Sequence, residues 1–124
     1  MIRQLTFTLA LALTALATFP APGHAQSNDI KYRKSISLKV GQSAVIHGLR
    51  GNCGSMPSKS DIAKMEQKYG DVKVGRIVAG KAGSRRSGSC GGVTPAIEAI
   101  FVAEKPGSVQ FKLFGDDVKI RVTQ

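Results

Sequence analysis

Three consecutive segments near the C-terminus alternate apolar and polar residues with a period of two, and that pattern commits the chain to half-buried antiparallel β structure. Ile97, Ala99, Phe101 and Ala103 alternate first, then Val109, Phe111 and Leu113. Val118, Ile120 and Val122 complete the series, with Lys119, Arg121 and Thr123 on the outward face. Pro106-Gly107 and Gly115-Asp116-Asp117 supply turns between them, so the three segments are expected to form a meander. Upstream, Ile36, Leu38 and Val40 alternate with Ser35, Ser37 and Lys39, and Gly41-Gln42 turns the chain into a second strand over residues 43–49. The face of that second strand is ambiguous, because Val45, Ile46 and Leu49 do not share one parity. Ser58 followed three residues later by Asp61 has capping-box spacing. Ile62, Met65 and Tyr69 continue at helical intervals, and Gly70 ends a short helix. Val72, Val74 and Ile77 predict another strand, with Gly75 marking a bulge or a close approach. Residues 80–92 are glycine-rich, without large apolar side chains, and are expected to be an irregular loop. About six or seven short strands, with turn signals roughly every 8–12 residues, fit a single immunoglobulin-like antiparallel β-sandwich with one short helix. A small barrel is the runner-up.

The first 25 residues read as a leader to be removed. Arg3 supplies the positive start, residues 5–19 form an uncharged apolar run, and Pro20 and Pro22 break it. Gly23-His24-Ala25 places small residues at the −3 and −1 positions of a cleavage site. The run is short for a membrane span and no second one follows, so the remaining domain, 26–124, is expected in the periplasm or outside the cell with no transmembrane segment. The chain carries 18 Lys and Arg against 8 Asp and Glu, a net charge of +10 that falls to about +9 once Arg3 leaves. Such a surface attracts an acidic protein or an anionic envelope component. Its basic groups are scattered instead of blocked together, which leaves a generally cationic, solvated surface as the alternative. The aromatics near basic residues form no stacking platform, so no specific nucleic-acid partner is expected.

Cys53 and Cys90 are the two cysteines, and an oxidising compartment most simply joins them. The bridge closes a loop of about 38 residues, which the chain-entropy treatment values on the order of 4 kcal/mol. It also ties the loop around Arg50 to the loop that carries Lys81, Arg85 and Arg86. Arginine presents a planar fork suited to carboxylate, sulfate and phosphate. Arg50, Lys81, Arg85 and Arg86 are therefore the candidate binding residues.

Catalysis finds little purchase. After export His47 is the only histidine, and no serine or cysteine has an evident base partner in sequence. Asp116-Asp117 is expected to face solvent in a turn. A blue-copper ligand set needs two histidines. A copper carrier built from Cys53, Met56, Met65 and His47 requires free thiols, and it stands with a small periplasmic enzyme as an alternative class. No catalytic residue, metal site or cofactor is expected.

Leu38-Lys39-Val40-Gly41-Gln42-Ser43 and Ala103-Glu104-Lys105-Pro106-Gly107-Ser108-Val109-Gln110-Phe111 resemble the rhythm of secreted bacterial immunoglobulin-like domains. Among these, the chain is loosely similar to the chagasin-type inhibitors of cysteine peptidases. The resemblance covers about a quarter of residues 26–124 and implies a sandwich whose loops at one end plug a peptidase cleft. The chain departs from the family's motifs. Gly51-Asn52-Cys53-Gly54-Ser55 stands where an asparagine-proline-threonine-threonine-glycine loop belongs, and there is no tryptophan for the last loop. Gly91-Gly92 alone answers to the glycine-rich middle loop. Inhibition of a peptidase or other hydrolase thus enters as an alternative to a general binding role.

Overall fold

In the computed structural model of the chain, residues 28–124 are described; the leader expected over residues 1–25 and its cleavage point lie outside them. The elements follow in the order β1 (Ser35–Lys39), β2 (Ser43–Arg50), α1 (Lys59–Lys68), β3 (Gly75–Ser87), β4 (Gly92–Ala103), β5 (Gly107–Leu113) and β6 (Asp116–Thr123). Two three-stranded sheets pack face to face, one ordered β1-β6-β5 and the other β2-β4-β3. All pairings are antiparallel except β1 with β6. The expected all-β sandwich is therefore present, together with its single short helix.

The alternation does its work most plainly in β6. Val118, Ile120 and Val122 are buried, while Asp117, Lys119, Arg121 and Thr123 are exposed. They meet Ile36 and Leu113 of their own sheet and Ile46, Ile77, Ala99 and Phe101 of the other in one apolar core. Each of the larger side chains among these contributes about 1.5–3 kcal/mol on leaving water, before the entropy of ordering it is charged. The helix forms as its sequence predicts. The Ser58 side chain accepts from the Asp61 N–H, and the Asp61 carboxylate accepts from the Ser58 N–H, both at 3.0 Å. Met65 and Tyr69 then reach the core.

Three expectations are corrected. The last three strands are not a meander, because β4 belongs to one sheet and β5 and β6 to the other, so the chain changes sheet at Pro106-Gly107. The glycine-rich segment is not a loop up to residue 92. β3 runs through Gly80 to Ser87 and pairs with β4 down to Gly92, leaving a turn over residues 88–91. Backbone pairing with β4 overrides the weak strand propensity of its glycines. Finally, β3 starts at Gly75, after a hydrogen-bonded turn at Val72–Val74 in which Lys73 has a φ of 74°. The close approach expected at Gly75 is real. A Cβ there would collide with the Val102 carbonyl oxygen and the Phe101 ring.

The ambiguous parity of β2 has a structural cause. Val45 pairs with Ile100 and His47 with Ala99, so Ile46 is an extra residue and the strand bulges. Ile46 and His47 are consequently both buried. A second bulge lies on the other side of β4, between Ala79 and Ala82 of β3.

Candidate functional site

Three connections meet at one end of the sandwich: the loop over residues 51–58, the turn over residues 88–91, and Phe114-Gly115 between β5 and β6. The Cys53–Cys90 disulfide, with Cα atoms 5.4 Å apart, joins the first two. Beside it the Gly54 N–H donates to the Oγ1 of buried Thr94 at 2.9 Å. Both cysteines flank strands of the β2-β4-β3 sheet, so the bridge ties one sheet's end together and does not cross between sheets.

The bulge in β2 aims His47 inward at this end. Its Nε2 lies 2.7 Å from Oδ2 of Asp116, the first residue of β6. Its Nδ1 accepts the Gly48 N–H at 2.8 Å. An Nδ1 that accepts has no proton of its own, so the ring is neutral and Nε2–H donates to the carboxylate. Burial pushes the imidazole below its usual range in the same sense, and Arg85 adds to this while Asp116 opposes it. Tyr32 and Phe114 hold the ring, with centroids 4.9 and 5.1 Å away. Both nitrogens are therefore committed, which leaves no lone pair to take a substrate's proton or bind a metal. With the two sulfurs bonded to each other, the considered copper set also lacks its thiolates. Among the described residues no group of three or more His, Cys, Asp or Glu is placed to hold a metal ion.

The arginines behave differently. Arg85 donates through Nη1 to the Gly48 carbonyl at 3.0 Å, and Arg50 through Nη2 to Ser89 Oγ at 2.9 Å. Both line one polar hollow of about 450 Å³ with Ser87, Ser89 and Asp116. Arg85 and Arg86 line an adjoining hollow of about 410 Å³ with Lys31, His47 and two carboxylates, Asp29 and Asp116. Partial burial lowers the Arg85 pKa, and Arg50 pushes it the same way against the pull of Asp116. Among the described residues the ion pairs are His47–Asp116, Arg76–Glu104 and Lys112–Asp117, so none of these three arginines has a carboxylate partner. Lys81 is elsewhere. It sits in the β3 bulge, where its N–H donates to Glu98 Oε1 at 2.8 Å, and it lines neither hollow.

Comparison of the chain with protein-family models, with curated proteins and with solved structures finds no match.

Two residues of this end escape a reading of the sequence. Asp116 looks like a solvent-facing turn residue, yet it reaches a buried histidine 69 positions away. Phe114 looks like the outward end of a strand, but it occupies the first position of a two-residue turn with φ 54°, followed by Gly115 at φ 86°. Such turns need positive φ at both places, and glycine, asparagine or aspartate usually supplies it. The available signal was the spacing itself: Gly115 immediately after an aromatic residue, between two alternating strands.

Proposed function

We propose that the protein is an exported, non-enzymatic binding domain that contacts an acidic partner at the disulfide-tied end, with Arg50, Arg85 and Arg86 as its anion-recognising groups. The observation that carries this reading is the convergence of Arg50 and Arg85 on one polar hollow whose carboxylate, Asp116, is bonded to His47 and forms an ion pair with neither guanidinium. Two guanidinium groups held close together, one of them partly desolvated, gain more from an added anion than isolated surface lysines do. The leader-like first 25 residues support export. The exposed cations Lys39, Lys119 and Arg121 stand on outward strand faces and supply long-range attraction without a shaped site.

The test compares two double variants of equal charge change, Arg85→Ala with Arg86→Ala and Lys39→Ala with Lys119→Ala. Binding to a sulfated polysaccharide matrix is followed across a salt series, with thermal unfolding as a check on folding. The arginine pair is expected to lose at least tenfold more affinity than the lysine pair. Equal losses with equal salt slopes would leave only diffuse attraction and remove the site.

The three connections gathered at one end also favour a plug-like mode of contact, as in an inhibitor of a hydrolase. A panel of cysteine peptidases titrated with the protein tests that second reading, which fails if none is inhibited.

A further inference from the structure

Beside the arginine hollow runs a larger groove of about 920 Å³, between α1 and the β5–β6 turn. Leu49, Met56, Met65, Tyr69 and Phe114 give it apolar lining, and Arg50 belongs to both the groove and the hollow. Met56 is 45% exposed although it is large and apolar. Methionine side chains adapt to the shape of what they touch, which suits them to peptide recognition.

The banks of the groove are cationic. Lys64 and Lys68 line one bank, one helical turn apart. Lys112 lines the other and pairs with Asp117 at 3.2 Å. The acidic group in the lining, Asp61, is occupied by the capping box at Ser58. Lys64 and Lys68 have no carboxylate partner among the described ion pairs. The four residues of helix between them advance about 6 Å along its axis. Alternate residues of an extended segment advance about 6.8 Å, so two carboxylates on one side of a strand match the two lysines.

Phe114 adds an independent observation. It holds a left-handed backbone conformation that costs a bulky side chain dearly, and it places its ring in the groove wall against Tyr69. Strain of this kind concentrates where a binding surface needs a particular side chain.

We propose that the groove between α1 and the β5–β6 turn binds an extended acidic peptide segment of the partner, with an apolar side chain seated among Met56, Met65 and Phe114 and carboxylates against Lys64 and Lys68. The proposal rests on the acidic-partner reading and names the part of the partner that is recognised. A lipid chain would need an enclosed slot, whereas this groove is open along the molecular surface and lies between rows of charge.

The probe is a displayed library of random dodecapeptides, selected on the disulfide-bonded protein. Enriched peptides are expected to carry Leu, Met or an aromatic residue with Asp or Glu two positions away. Synthetic copies should bind at least tenfold more weakly to Met56→Ser and to the Lys64→Ala, Lys68→Ala pair, and within twofold of the original to Lys105→Ala, an exposed cation in the connection between β4 and β5. Circular dichroism and thermal unfolding confirm that the variants fold. Acidic peptides without an apolar position, bound equally by Met56→Ser but lost with Arg85→Ala, would overturn the groove while sustaining the arginine site. Failure to enrich any acidic peptide would overturn the groove proposal, while the arginine site stands or falls by binding to the sulfated polysaccharide. Anionic phosphatidylglycerol vesicles that bind the protein and lose binding with Met56→Ser would assign the groove to lipid and overturn the peptide proposal.

Discussion

At the end where β1 turns into β2 and β4 into β5, the closing contacts are mostly main chain, with Lys39 N donating to Gln42 Oε1 and Arg76 beside Glu104 as side-chain additions. Gly41 N donates to Ala103 O at 2.8 Å, Ala103 N to Gln42 O at 2.9 Å, and Val40 N to Thr123 O at 2.8 Å. Val74 O accepts from both Glu104 N and Lys105 N. At the opposite end the contacts run through side chains: the Cys53–Cys90 bridge, His47 to Asp116, Gly54 to Thr94, Arg50 to Ser89 and Arg85 to Gly48. Main-chain closure requires no particular surface residue but leaves no room for added volume. Side-chain closure requires particular residues and leaves hollows between them, and binding groups can face into those hollows. One end closes through its backbone, and the other leaves hollows between its side chains.

The largest expected effect breaks the side-chain end. Cys53→Ala or Cys90→Ala should cost on the order of 4 kcal/mol, and the double variant no more than either single one, since all lack the same bond. Hydrogen exchange should accelerate around residues 50–58 and 86–94 while residues 101–104 stay protected. Equal loss of protection at both ends would erase the contrast. Next, Gly75→Ala forces a Cβ into the Val102 carbonyl and the Phe101 ring at the main-chain end. A cost of about 3 kcal/mol in urea unfolding is expected, with the disulfide intact. A change below about 0.5 kcal/mol would mean this end has slack.

His47 sharpens the contrast through pH. Its pKa is lowered in the folded state, so just below the ordinary value of 6.5 the unfolded chain binds more protons than the folded one. The stability contributed by the neutral ring is complete above that value and is lost as pH falls through the window beneath it, at up to about 1.4 kcal/mol per pH unit. Urea midpoints measured from pH 7.5 to 5 should show this slope, and His47→Gln should flatten it. Parallel slopes would mean that the ring takes up its proton over the same pH range in the folded and the unfolded chain. The smallest effect belongs to Lys112→Ala, which breaks an exposed pair with Asp117. A loss of at most about 0.5 kcal/mol in thermal unfolding is expected, because solvent screens both partners.

Much of this architecture can be read from local pattern. The β6 alternation, the Ser58–Asp61 capping box, the tight approach at Gly75 and the pairing of the two cysteines each depend on residues close in sequence or on a choice with one simple outcome. The candidate site was half readable. Arg50, Arg85 and Arg86 follow once the bridge is drawn, but Lys81 shares their segment without sharing their hollows. A bulge two residues past Ala79 places it beside Glu98, and bulges depend on how two strands fit, not on the composition of one.

Residue chemistry and spacing alone settled that the chain would be β-rich, would carry one capped helix and would join Cys53 to Cys90, because periodicity, capping and bond formation act over short range or among few candidates. Tertiary structure alone decided that β4 leaves β5 and β6 for the other sheet, that glycine-rich residues 80–87 lie in a strand, and that His47, Phe114 and Asp116 meet. Those outcomes turn on which edges find partners and on how two twisted sheets close over one core, and such energies belong to pairs of residues far apart in the chain.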